Sequence, residues 1–173
     1  MRTKFLLGLI CICSWSLFGQ HISPNVQIVD FCKQHLGQQV GDGECFALAS
    51  HAFRAAGLTR PSEQTPNHGD FVWGKLVLYL QGNGSESAAE GTMANIMPGD
   101  VIQFRDAVFK KKKHSEHFKH HTAVVEEVAN GGNDMKLLQQ NYAGKKFVTE
   151  LELHLPDMKS GWIRVYQPES PAK

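Results

Sequence analysis

The stretch VGDGECFALASHAFRAAG, residues 40–57, sets Cys45 directly after a glycine-rich turn and at the start of an alanine-rich run. A thiol in that place suits nucleophilic chemistry. The reactive form is the thiolate, so a site that uses it has to lower the thiol pKa from about 8.5. The unpaired N–H groups and positive dipole end of a helix N-terminus act in that direction. The same N–H groups can hold the oxyanion of a tetrahedral intermediate. Gly41 and Gly43 allow a substrate to come close to the turn. The rival use of Cys45 is a disulfide with Cys32, the other cysteine outside the first nineteen residues.

A nucleophile needs a base, and the base needs an orienter. HHTAVVEEV offers His121 at the entrance to a β-strand, with His120 taking its place should the register slip by one residue. The following strand reads KLLQQNY, in which Gln139 and Asn141 are two apart and so share a face. Two amides on an otherwise apolar strand are costly without partners, and an imidazole N–H is such a partner. A neutral amide suits a cysteine–histidine site, because the thiolate–imidazolium pair forms without a carboxylate behind it.

The order GDGEC, PGDVIQF, HHTAVV and LLQQN, spread from about Val40 to Tyr166, resembles the CHAP family of amidohydrolase/peptidase domains. That family stands with the NlpC-type cell-wall peptidases in a papain-like superfamily. The resemblance implies thiol-dependent hydrolysis of amide bonds, typically in bacterial peptidoglycan. It makes Cys45 the nucleophile, with its own N–H as one oxyanion donor, and His121 the base. The family often shows Glu-x-Asn where this chain has Gln139-Gln140-Asn141, so the orienter is either Gln139 or Asn141. Pro98-Gly99-Asp100 matches a turn in which the Asp satisfies main-chain N–H groups. The rival from another class is a catalytically silent binding domain with Cys45 paired to Cys32.

The elements that position these residues follow from the pattern. Ser23 as N-cap and Pro24 at the first helical position start a helix that Gly37 closes. A second runs from Glu44 to about Ala56. TRPSEQTPNHGD is a loop by its Pro, Asn and Gly content. Short β-like runs follow: DVIQF, TAVVEEV, MKLLQQNY, KFVTELEL and WIRVY. Asn130-Gly131-Gly132-Asn133 and Ala143-Gly144-Lys145 read as hairpin connections. Helices first and a meander afterwards is an α+β plan. With the resemblance it becomes a papain-like domain, its N-terminal helices packed on an antiparallel β-sheet or half-barrel.

The chain has 173 residues, enough for one domain with a real core, and a formal charge of +1. Residues 1–19 carry Arg2 and Lys4, then an apolar run from Phe5 to Cys13, the pattern of a signal peptide. That reading makes 20–173 a single secreted or periplasmic domain, with a charge of about −1 once the leader is removed. Nothing in this balance points to nucleic acid. Cationic charge is local, in KKKKHSEHFKHH at 110–121, which reads as a solvated, mobile insertion. Lys110, Lys111, Lys112 and Lys113 offer contact with an anionic polymer. His114, His117 and His121 are spaced in a way that invites zinc, but they lie in no recognised metal signature, so neither metal nor cofactor is expected.

Overall fold

A computed structural model describes residues 22–59, 70–82, 91–111 and 114–169. The leader expected at 1–19, most of the 59–70 loop, and Lys112 and Lys113 lie outside the described residues. Two helices come first, α1 (Pro24–Gln34) and α2 (Cys45–Ala55). Six strands follow: β1 (Lys75–Gln81), β2 (Val101–Lys110), β3 (Ser115–Ala129), β4 (Asp134–Gln139), β5 (Thr149–His154) and β6 (Met158–Gln167). They form one sheet in the order β1-β6-β2-β3-β4-β5, and every pairing is antiparallel.

This corrects the expected plan of N-terminal helices on a sheet or half-barrel. The described chain is mostly sheet, the sheet is open with β1 and β5 as its edges, and the two helices have only 11 residues each. Against the sheet, they rest chiefly on β3. The strand content was underestimated in the basic segment. Instead of a mobile insertion, residues 105–110 and 115–120 continue β2 and β3 as paired strands, with Phe109 paired to Glu116 and Ala107 to Phe118. Phe109 and Phe118 are fully buried there, while His117, Lys119 and Lys110 stand exposed. Burial of two phenylalanines outweighs the solvation of the intervening cations.

Two apolar clusters lie on the two faces of the sheet. One gathers Ile102, Phe104, Ala123, Val125, Leu137, Ile163 and Val165 with the turns Met93–Asn95 and Leu155–Asp157. The other joins Ile28, Cys32, Leu48, Ala52 and Phe53 of the helices to Val101, Val124, Leu138 and Tyr166. α1 starts as its sequence dictates, with the Ser23 hydroxyl accepting from Val26 N at 3.4 Å and Pro24 in the first turn. Asp100 accepts from Met97 N at 2.9 Å and from Asn25 Nδ2 at 3.3 Å, tying the turn before β2 to α1. The Ala143-Gly144 turn has positive φ at both residues, as a tight primed hairpin needs.

Strand register maps the helix-side face in three rows. Beneath the helices lies an apolar row, Val124–Val101–Tyr166–Leu76. The next row is Thr122–Gln103–Arg164–Tyr79, and the third is His120–Arg105–Trp162–Gln81. Residues 70–73 cross these rows. With its amide oriented to satisfy both neighbours, Gln103 donates to Phe71 O at 2.7 Å and accepts from Trp73 Nε1 at 3.2 Å.

Candidate active site

Cys45 is the first residue of α2, and the turn before it is held from the sheet. Gly41 and Gly43 both adopt positive φ, 59° and 82°, which glycine takes without strain. Gln140 clamps this turn. Its Oε1 accepts from Val40 N at 3.1 Å, and its Nε2 donates to Val40 O at 2.9 Å and Glu44 O at 2.7 Å. Sequence reasoning passed over Gln140; the signal was there, since a fully buried amide has to find partners.

The thiol itself is half-buried and meets β3 at Thr122. The β3–β4 ladder ends at Val124–Leu138, so Thr122 lies beyond it. Burial pushes the Cys45 thiol up; the Thr122 main chain, the Phe46 main chain and the Thr122 hydroxyl pull it back, and nearby Glu44 adds to the rise. Helix start and strand end therefore both stabilise a thiolate, without overcoming desolvation in the resting site.

His121 adjoins Thr122 and its side chain is buried. Its Nε2 lies 2.7 Å from Gln139 Oε1. An amide oxygen only accepts, so Nε2 carries the proton and Nδ1 keeps its lone pair for a proton in transit. Phe104, Phe118 and Tyr142 surround the ring at centroid distances of 6.1, 5.7 and 5.6 Å. Burial among them lowers the His121 pKa to about 4; the Gln139 bond opposes that fall and neighbouring His120 adds to it. At neutral pH the Cys45 thiol and the His121 imidazole are therefore each neutral.

Of the two orienter candidates, the structure sets Gln139 on His121 and turns Asn141 elsewhere. Asn141 Nδ2 donates to Glu44 Oε2 at 2.5 Å, and Lys146 binds the other oxygen of Glu44. Asn141 thus steadies the residue before the nucleophile. Cys32 and Cys45 are both free thiols. Cys32 is sealed in the helix-side core, and burial followed by the Glu126 charge pushes its pKa up to about 12. The histidines considered for zinc go to separate partners, His114 to Glu116 at 3.1 Å and His121 to Gln139. Of the basic cluster, Lys110 is exposed, while Lys111 Nζ donates to Glu152 O at 3.0 Å.

Sequence reasoning missed Asp70. It is fully buried beside the site, with Arg105 Nη2 at 2.5 Å, His120 Nε2 at 2.9 Å and Arg164 Nη1 at 3.9 Å from its carboxylate. Nothing local marks it, for it closes a segment that reads as loop. Phe71, next in the chain, packs against Phe46 with ring centroids 4.5 Å apart, which brings the cluster up to the residue after the nucleophile.

Residues 16–171 match the family model described as the AIM3/BBC1 cysteine proteinase-fold domain. The chain is 27% identical over 158 residues to altered inheritance of mitochondria protein 3 of Debaryomyces hansenii, covering 87% of this chain and 16% of that protein. It therefore spans about a sixth of the length of that relative. Among solved structures it is similar to the crystal structure of Ly7917, at 20% identity and a TM-score of 0.46, over 83% of this chain and 62% of that one. The crystal structure of Ly7917 with the hydrolyzing product of MDP matches over the same shares at 19% identity and a TM-score of 0.43. These findings correct the expected secreted or periplasmic location. The name of that relative concerns inheritance of mitochondria and not a bacterial cell wall. The expectation rested on the apolar composition of residues 1–19, and the family match begins at residue 16, inside that segment.

Proposed function

The chain belongs to the AIM3/BBC1 cysteine proteinase-fold domain family, and on that premise we propose that it is a thiol-dependent hydrolase of amide bonds. Cys45 attacks the carbonyl carbon, His121 takes the thiol proton at Nδ1, and Gln139 holds the ring in the tautomer that leaves Nδ1 open. The proton then goes to the departing amine, and water releases the acyl group from sulfur by the reverse sequence. The CHAP-type order of motifs supports the same roles.

The observation that carries the reading is the 2.7 Å bond from His121 to Gln139, because a buried imidazole fixed by an amide oxygen is prepared as a base. Because both groups rest neutral, proton transfer would accompany attack. The same neutrality favours a second reading, a silent domain on the cysteine-proteinase fold, in which burial keeps the thiol unreactive.

The two readings part on one experiment. The full chain and its Cys45→Ser variant are incubated with peptides, isopeptide-linked peptides and peptidoglycan, and fragments are identified by mass. Fragments that vanish with Cys45→Ser establish the hydrolase and name the bond. If no fragments form and iodoacetamide labels Cys45 no faster than a free thiol, the silent domain is the better account.

A further inference from the structure

We infer that Tyr142 is a positioning residue for His121: its ring is the wall that closes the imidazole pocket toward solvent, and its hydroxyl, held by Glu116, latches that wall shut. The inference rests on His121 being the base and goes on to name what keeps that base ready.

The rings around the imidazole differ in where they stand. Phe104 and Phe118 are fully buried members of the core, whereas Tyr142 is half-buried and packs on that core from outside. Tyr142 stacks on Phe118 at 4.9 Å, with the planes 18° apart, and its ring centre lies 5.6 Å from that of His121. Of these three rings, Tyr142 is therefore the one whose displacement would bring water to the imidazole.

Two features hold the wall in place. The Tyr142 hydroxyl donates to Glu116 Oε2. The other oxygen of Glu116 faces His114 Nε2 at 3.1 Å and Lys111 Nζ at 3.8 Å, so the carboxylate is braced from just after β2 and just before β3. Burial, then the Glu116 bond and charge, push the Tyr142 pKa up, which keeps the hydroxyl proton there to be donated. The backbone is the second feature. Asn141 and Ala143, on either side, have φ of 59° and 50°, a region that residues with a Cβ enter only at a cost. Tyr142 N donates to Lys145 O at 3.2 Å and Lys145 N to Tyr142 O at 3.0 Å, which closes the turn. Conformations of this kind persist where surrounding contacts over-determine them, and they gather at functional sites.

The same segment serves the thiol. Gln139 holds His121, Gln140 clamps the turn before Cys45, Asn141 binds Glu44, and Tyr142 covers His121. Four successive residues are thus divided between base and nucleophile turn, and the latch fixes one against the other. A closed wall keeps His121 unprotonated, with Nδ1 open, in mildly acid solution; an open wall lets water solvate the imidazolium. The groups around the ring are His120 on its own strand, Phe104 from β2, Gln139 from β4 and Tyr142 with Glu116 behind it, while Cys45 of α2 meets the strand at Thr122. Glu116 is the acid among these. By charge alone it would favour the imidazolium; as a latch it does the reverse, and the two roles differ in sign.

The experiment follows the His121 ring by NMR in the full chain, its Cε1–H signal assigned by its loss in His121→Gln. At pH 5 the unmodified ring should be only about one-tenth protonated, since burial lowers its pKa to about 4. Tyr142→Ala should raise the midpoint by at least about one pH unit, making the ring half-protonated or more at that pH. Tyr142→Phe and Glu116→Ala cut the latch but leave a ring, so each should raise the midpoint by a smaller step, about 0.3–0.7 of a pH unit. An unmoved midpoint in Tyr142→Ala overturns the wall, as does a Tyr142→Phe step as large as that of Tyr142→Ala. A midpoint that falls or stays in Glu116→Ala overturns the latch. That variant alters a partly exposed side chain and decides by its sign should Tyr142→Ala fail to fold. The titrations need no activity, so an absence of cleavage beside the expected midpoints would count against the hydrolase and not against the wall.

Discussion

Two neighbouring histidines on β3 live in opposite surroundings. His121 is buried among Phe104, Phe118 and Tyr142 and bonded to an amide. His120 is half in solvent and lies 2.9 Å from a buried carboxylate. One step along a strand turns the side chain to the other face, so one sheet supplies a dry, neutral imidazole and a wet one beside a carboxylate. The difference teaches that the role of a histidine in HHTAVV is decided by face rather than by sequence neighbourhood. The dry imidazole suits a proton acceptor held in one tautomer. The wet one, beside two guanidiniums, suits recognition.

The sharpest way to break this comparison is to exchange the losses. His121→Gln should lower kcat/KM for the cleaved amide by about 10²–10⁴, the usual worth of a general base. His120→Gln should cost less than about tenfold, mostly in KM, as loss of a contact at the rim of the binding site does. Kinetics on both variants with the substrate found by mass decide it. If the larger loss falls on His120, then Asp70 is the orienter and His121 is a packed core residue.

The pH dependence of stability separates the two residues without any substrate. The folded pKa of His121 is depressed to about 4 from an ordinary 6.5. Above the unfolded value both states are neutral. As the pH falls from 6.5 toward 4, the unfolded chain takes up a proton that the folded chain refuses, and stability is lost. Complete loss amounts to about 3 kcal/mol at 1.36 kcal/mol per unit. Asp100, raised to about 6 chiefly by burial, acts in the opposite direction, but it is common to every variant and cancels in the difference. Urea denaturation at pH 7.5 and 4.5 should therefore show a smaller acid loss for His121→Gln than for the unmodified chain. His120→Gln should keep most of the loss, since the His120 charge is the smallest cause of the depressed His121 pKa. Equal slopes for all three would mean that the His121 pocket is wetter than its packing implies.

Gln139 offers a finer test. Gln139→Leu removes the acceptor, frees the tautomer and should cost about 10–100-fold in kcat, by analogy with loss of an orienting partner elsewhere. Gln139→Glu places a carboxylate on Nε2, which raises the imidazole pKa. The acid limb of the kcat/KM profile should move to higher pH with it. An unmoved limb would show that the limb belongs to another group.

How much of this was legible in the residues depends on how local the signal was. The turn-thiol-helix unit announces itself, because glycines with positive φ, an N-terminal thiol and an alanine run are contiguous. The two-residue spacing of Gln139 and Asn141 was legible, but their common target was not. Asn141 leaves the strand with a positive φ of 59°, and that turn sends it to Glu44. The Asp70 cluster was invisible. Its members come from β2, β3, β6 and the segment before β1, and only the register of three strands brings them together. The length of β2 and β3 was hidden for a related reason. Positive φ at Asp106 interrupts strict alternation, so Phe109 and Phe118 are masked by the cations beside them.

The smallest expected effect concerns the other side of the thiol. Burial is the main cause of the raised Cys45 pKa, and the Glu44 charge is a minor one. Glu44 is itself held by Asn141 and Lys146, whose cation screens it. Glu44→Gln should therefore lower the thiol pKa by a fraction of a unit, read from the pH dependence of iodoacetamide labelling. Lys146→Gln removes the screen and should move the same curve the other way by a similar fraction. These opposite signs matter more than their size. They would show that the thiol senses the Glu44 side as an acid. A Glu44→Gln curve displaced upward would instead mean that the substitution loosens the Gln140 clamp and removes the helix N–H groups from the sulfur.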